Sequence, residues 1–306
     1  MHHYFNKNQQ NWVKQQLKIL IRQKMSINIP TPISNKKFAA KKTKLIRTLL
    51  FAISLYLILL SACQKSARVY TVADAHSHND YKNSIPFYRA YRDGFGSMEA
   101  DVFAVNGSLL VAHEEKEITP TRSLKVLYLG PLITNLKKDT SRRLRLLIEI
   151  KKDYKVTLPL VIKELQPLSE YFSYPGHPGR LAIVMTGAVP PGSVMLNYPD
   201  WLNFDVNHLK GFTTDQLKKI ELVSVDFSEY SKWDGKSVIS EEDIIKLKTV
   251  IDSAHALNKK IRFYGTPDTP KCWKELIDLN SDVIGTDHID ELANYLNKKV
   301  YLDNSK

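Results

Sequence analysis

A single-domain (β/α)₈ barrel is the fold this chain predicts, and three observations carry it. Eight short apolar or β-branched runs follow one another at 70–75, 97–105, 144–150, 181–185, 201–206, 221–225, 260–264 and 282–286. Helical patterns separate most of them. The stretch they occupy, roughly 240 residues, is the size of one such barrel. An open doubly wound sheet is the alternative, but no glycine-rich phosphate loop follows the first run. Neither an internal repeat nor a second domain is visible.

Each element has its own signal. The first run leads into His76-Ser77-His78-Asn79-Asp80-Tyr81. The second carries Glu99 and Asp101, and Asn106-Gly107 then marks a tight turn that folds 109–112 back beside it. A two-residue loop there sets His113 opposite Ala100 and turned from the acids. A three-residue loop, or an equivalent bulge, sets it beside Asp101. The third run ends in Glu149-Ile150-Lys151, ahead of a helical pattern at 156–172. Thr213-Thr214-Asp215, Ser240 before three acids, and Thr269-Pro270 open later helices, the last two at 241–257 and 271–279.

In such a barrel the chemistry gathers where strands end, at the C-terminal face. His76 and His78 follow the first run, Glu99 and Asp101 fall within the second, and Glu149 and Lys151 close the third. Gly265-Thr266-Pro267-Asp268 and Gly285-Thr286-Asp287 follow the last two. Glu99 and Asp101 stand at i and i+2, so a strand aims both to one side. Carboxylates held together there repel unless a cation lies between them, and oxygen donors suit Ca²⁺ or Mg²⁺.

Charge divides the chain. Of 44 Lys and Arg residues, eleven precede Cys63, where no Asp or Glu occurs, leaving 33 basic against 32 acidic residues beyond it. The basic excess therefore belongs to a leader, and a nucleic-acid surface on the folded body is not expected. Lys41-Lys42-Thr43-Lys44-Leu45-Ile46-Arg47 has the form of a positive n-region, and 49–60 is almost wholly apolar but too short to span a membrane. Leu60-Ser61-Ala62-Cys63 resembles the bacterial lipobox, which implies a lipidated Cys63. The expected division is 1–40 as a disordered basic extension, possible start at Met25 included; 41–63 as a lipoprotein signal peptide; and 64–306 as the barrel. An uncleaved N-terminal anchor is the other reading. Both place the body in the cell envelope, on the periplasmic or outer side of a bacterial membrane. With Cys63 lipidated, Cys272 has no partner, and a body of this size needs no disulfide.

Ala75-His76, Pro86-Phe87, Ala90, Gly94, Met98-Glu99-Ala100-Asp101-Val102, Asn106-Gly107, Val111-Ala112-His113 and Ile148-Glu149-Ile150-Lys151 together resemble the glycerophosphodiester phosphodiesterases. His76-Ser77-His78-Asn79-Asp80-Tyr81, Arg262-Phe263-Tyr264-Gly265-Thr266-Pro267-Asp268, Trp273 and Gly285-Thr286-Asp287 are more similar to a branch between those enzymes and the phosphatidylinositol-specific phospholipases C. The resemblance spans most of 70–290 and implies a (β/α)₈ barrel cleaving a small-molecule or lipid phosphodiester with a divalent metal. It further implies Glu99, Asp101 and Glu149 as metal ligands, His76 and His113 as acid–base pair, and Lys151 on the phosphate. His78-Asn79 substitutes loosely for the family's Glu-Asn, a substrate-binding position. Ser77 stands where the family usually has arginine, which removes a phosphate clamp and shifts the charge balance onto the metal and Lys151. A metal-free lyase and a non-catalytic ligand-binding lipoprotein barrel are the competing functions.

Overall fold

The computed structural model describes residues 68–304. The extension 1–40, the signal-like segment 41–63 and Cys63 lie outside the described residues. Among those described, no helix is long and apolar enough to cross a membrane.

Nine strands form one sheet: β1 (Ala75–Ser77), β2 (Ser97–Val105), β3 (Ser108–Val111), β4 (Leu144–Ile150), β5 (Leu181–Gly187), β6 (Leu202–Val206), β7 (Ile220–Asp226), β8 (Lys260–Tyr264) and β9 (Ile284–Thr286). Eight of them are parallel in the order β8-β7-β6-β5-β4-β2-β1-β9, and β3 lies antiparallel on β2. A bridge between Arg262 and Val283, with Asp282 N–H donating to the Ile261 carbonyl at 2.9 Å, brings β8 against the approach to β9. The result is a nearly closed (β/α)₈ barrel.

Its interior has two zones. Leu147, Val184, Leu222 and Val283 form an apolar floor, separate from the larger core between sheet and helices. Burying each such side chain stabilises the fold by about 1.5–3 kcal/mol. Towards the strands' C-terminal ends the inward positions turn polar. Asp101 is in register with Glu149, Glu149 with Thr186, and Ser224 with Arg262.

Two expectations are corrected here. The first run is not a strand throughout: Thr71 and Asp74 close a capping box around a 3₁₀ turn at Val72–Asp74. These side chains satisfy backbone groups locally, which outcompetes β pairing. The strand therefore starts at Ala75, and His76 lies within it instead of after it. The predicted helix at 156–172 is divided into an α-helix, Tyr154–Leu165, and a 3₁₀ segment, Gln166–Tyr171. Pro167 has no N–H to continue the α pattern.

The hairpin is the two-residue kind. Asn106 and Gly107 both have positive φ, 49° and 76°, which matches the twist of the flanking strands. Val105 pairs with Ser108 and Val102 with Val111, and Ala112 N–H still donates to the Asp101 carbonyl at 3.2 Å. The chain leaves the ladder after Ala112. That departure, not a longer loop, frees His113 to turn towards Asp101.

Candidate active site

The acids come from adjacent strands. Glu99 and Asp101 project from β2 and Glu149 from β4, each offering an oxygen within 4.8 Å of the others. Gly187, at the end of β5 with φ +75°, makes this convergence possible: a Cβ there would lie 2.7 Å from Glu149 Cγ and 2.6 Å from the Ile150 carbonyl oxygen. The Tyr81 hydroxyl donates to Asp101 Oδ2 at 2.7 Å. The Lys151 ammonium donates to Asp101 Oδ2 at 3.2 Å and to Glu149 Oε1 at 3.0 Å.

The crowding is visible in the proton affinities. Burial, then the charges of Asp101 and Glu99, push the Glu149 carboxyl up to about 7 against the pull of Lys151. Burial also acts against ionised Glu99, but the Arg262 guanidinium and the His76 hydrogen bond outweigh it and hold Glu99 well below the usual carboxylate range. Three hard oxygen donors with too little positive charge among them fit a hard divalent cation, Ca²⁺ or Mg²⁺, by donor chemistry.

The histidines have three different settings. His76 is wholly buried, with Nδ1 2.8 Å from Ser97 Oγ and Nε2 2.8 Å from Glu99 Oε2. Burial and the nearby Arg262 charge press its imidazole down to about 4. Both ring nitrogens are thus engaged, and the ring braces Glu99. His113 is 42% exposed at the side chain, with Nδ1 3.2 Å from Asp101 Oδ2. His78 is 37% exposed, and its Nδ1 meets Asp287 Oδ1 at 2.9 Å. Burial pulls the His78 imidazole down, but the Asp287 hydrogen bond and the charges of Glu99 and Asp287 raise it on balance. Asn79 takes a left-handed conformation, and its amide donates to Asp287 Oδ1 at 3.3 Å.

The structure therefore brings Glu99, Asp101, Glu149, His76, His113 and Lys151 into one cluster. It sets His78 and Asn79 beside Asp287 on β9's end. Ser77 points the other way: it is fully buried, and its hydroxyl donates to Asp80 Oδ1 at 2.8 Å. Asp80 also accepts the Phe87 N–H at 2.6 Å and the Tyr128 hydroxyl at 2.9 Å. An arginine at position 77 would enter this packed layer, so its absence does not strip the phosphate side of charge.

A guanidinium reaches the site from elsewhere. Arg262, 4% exposed on β8, donates from Nε to Ser224 Oγ at 2.6 Å and from Nη1 to Glu99 Oε2 at 3.3 Å. Its signal in the sequence was parity: Ile261 and Phe263 face the helices, which turns Arg262 inward. Asp205, on β6, was also missed. A cavity of about 620 Å³ joins Glu99, Glu149, Asp205, Arg262 and His78 to a more apolar wall that includes Pro190, Met195 and Phe212.

Comparison with known proteins follows this geometry. Residues 64–142 match the family model of the AIM6-like phosphodiesterase domain. Among curated relatives, the Altered inheritance of mitochondria protein 6 homolog of Arthroderma benhamiae is 28% identical over 72% of this chain and 82% of its own length. The Kluyveromyces lactis protein of that name is 28% identical over 73% of this chain and 72% of its own. A solved glycerophosphodiester phosphodiesterase from Parabacteroides distasonis shares the fold with TM-score 0.51 and 14% identity, over 74% of this chain and 98% of that one. The family model thus matches the first part of the described barrel, and the solved neighbour shows that the barrel fold is shared.

Proposed function

We propose that this protein is a metal-dependent phosphodiester hydrolase acting on glycerophosphodiesters or phospholipid headgroups. One observation carries the reading: Glu99, Asp101 and Glu149 converge at the barrel's C-terminal mouth beside two partly exposed histidines. The names of the family model and of the solved neighbour point the same way.

The three carboxylates would hold Ca²⁺ or Mg²⁺, which when bound supplies charge to the phosphate oxygens. The remaining chemistry belongs to side chains. Lys151, beside Asp101 and Glu149, adds a second positive charge at the phosphate. His113 and His78 are placed to move protons, one from the nucleophile and one to the leaving oxygen. Asp287 fixes the orientation of the His78 ring, and His76 fixes Glu99. The pair expected from sequence, His76 and His113, is revised in this reading because His76 has no free ring nitrogen.

Hydrolysis of bis-p-nitrophenyl phosphate tests the proposal. Activity should disappear in EDTA and return with Ca²⁺ or Mg²⁺. A second reading, the metal-free lyase, is favoured by Lys151 and Arg262, which already bring two cations to the acids. Turnover of sn-glycero-3-phosphocholine indifferent to EDTA, with its 2-hydroxyl displacing choline to give a cyclic glycerophosphate seen by ³¹P NMR, would establish that reading instead. The lipobox-like Leu60-Ser61-Ala62-Cys63 supports a lipid anchor in the cell envelope. Cys63→Ala should then abolish labelled fatty-acid incorporation in a bacterial host, and label retained by the variant would rule the anchor out.

A further inference from the structure

The end of the barrel away from the acid cluster has a cavity of its own. Along β4, Arg145, Leu147 and Glu149 share one side, and along β8 so do Lys260 and Arg262. Leu147 belongs to the apolar floor. Arg145 and Lys260 therefore lie on the other side of that floor from Glu149 and Arg262, at the strands' N-terminal ends. A cavity of about 310 Å³ is lined by both, and the floor residue Val283 borders it.

The charges around it do not balance. Arg68, Arg143, Arg145, Arg180 and Lys260 face only Asp74, Glu221 and Asp282. Arg68 takes two of these acids, Asp74 at 2.5 Å and Asp282 at 2.7 Å, and Asp282 also engages His255 and the Ile261 N–H. Glu221 is then the carboxylate left for the remaining cations. Its Oε1 accepts from Arg145 Nη2 at 2.8 Å and stands 3.7 Å from the Lys260 ammonium, beyond hydrogen-bond length. Arg143 and Arg180 donate only to backbone carbonyls among the described residues. Arg145 Nε is buried and has no acceptor among them. Burial and the Arg145 charge pull the Lys260 ammonium down against the pull of Glu221 and Asp282. A plug that only closed the barrel would pair its charges, as Arg68 does. Buried cations left without acceptors call for an anion that enters from solvent.

We propose that this cavity is a second anion site, in which Arg145 and Lys260 hold a terminal phosphate group at the barrel's N-terminal face. A carboxylate brings one charge, whereas a terminal phosphate brings about 1.5–2 negative charges and three acceptor oxygens. Those oxygens match a guanidinium fork beside a lysine point charge. The site does not depend on the phosphodiesterase reading, since the apolar floor separates it from the mouth. Free phosphate and the headgroup of a phosphatidic acid share this chemistry.

Calorimetric titration of the full chain with inorganic phosphate, in EDTA at neutral pH, tests the site. The parent should bind phosphate, and Arg145→Gln should weaken binding at least tenfold, the size of one lost hydrogen bond to a charged group. Lys260→Gln should weaken it about tenfold as well. Its side chain is 54% exposed, so this variant serves if Arg145→Gln does not fold. Lys151→Ala, at the mouth, should leave binding as in the parent. A parent that binds no phosphate overturns the proposal, because the cations then only close the barrel. Binding that Lys151→Ala removes and Lys260→Gln leaves intact overturns it too, since the anion then sits in the mouth. Dibutyryl phosphatidic acid separates the sources. Displacement of bound phosphate by this lipid, again lost in Lys260→Gln, supports a headgroup site, and phosphate binding that the lipid leaves unchanged supports a site for free phosphate.

Discussion

His76 and His78 stand two residues apart, yet burial gives them different chemistry. The ring of His76 is sealed between Ser97 and Glu99, while His78 is exposed with Asp287 behind it. His78→Ala and His113→Ala should each lower kcat by roughly 10²–10⁴ with little change in cation affinity. His76→Ala should instead weaken cation affinity by about 10–100-fold, the usual effect of losing a group that orients a ligand. A His76→Ala enzyme with normal affinity and collapsed kcat would restore the pairing expected from sequence. Glu149 offers a test by pH. Its carboxyl is raised from 4.5 to about 7 in the fold, so it keeps a proton that the unfolded chain has lost. Its contribution to stability is complete below 4.5 and is lost as pH rises through 7. In EDTA, Glu149→Gln should match the parent's pH trend below 4.5 and gain on it by up to about 3 kcal/mol by neutral pH. Parallel pH profiles from denaturant titrations would show that the acids are not crowded.

At the scale of elements, the sequence revealed what depends on periodicity and concealed what depends on where a strand begins or a ladder stops. Glu99 and Asp101 were legible because i, i+2 spacing fixes a shared face whatever the exact strand ends, and Glu149 joined them only through the family resemblance. The role of Ser77 was not, since one capping box at Thr71 and Asp74 moved the start of β1 and set the whole motif after it. His113 depended on the ladder breaking after Ala112, which no composition signal announces. Arg262 was legible by parity, but its contact with Glu99 joins residues 163 positions apart. Gly187 was invisible without coordinates, because its task is to be absent where Glu149 passes. Gly187→Ala requires a positive φ, costing about 1–2 kcal/mol, and drives a methyl against Glu149 Cγ. It should lower the melting temperature and weaken Ca²⁺ binding at least tenfold, on the order of a lost ligand-orienting contact. An unchanged calcium isotherm would remove Gly187 from the site.

Across the whole molecule, the apolar floor of Leu147, Val184, Leu222 and Val283 closes the barrel beneath its charged half. With low-dielectric walls on all other sides, field lines escape only through the mouth. There Glu99, Asp101, Glu149 and Asp205 face Lys151 and Arg262, four acids against two cations. A phosphodiester anion approaching this mouth is repelled, whereas a divalent cation is drawn in and cancels the excess. On the proposed reading, association would accordingly be ordered, ion before substrate. In EDTA at pH 8, sn-glycerol 3-phosphate should bind at least tenfold more weakly than with saturating Ca²⁺, a coupling of ordinary size for linked sites. Equal affinity with and without the ion would refute the order. Glu149 and Asp205 take up protons near 7 and near 6, so acidification discharges the mouth and should relax the requirement. If the proposed metal dependence holds, the ion would act as a gatekeeper as well as a reagent, and its concentration outside the protein would decide when the barrel can capture substrate at all.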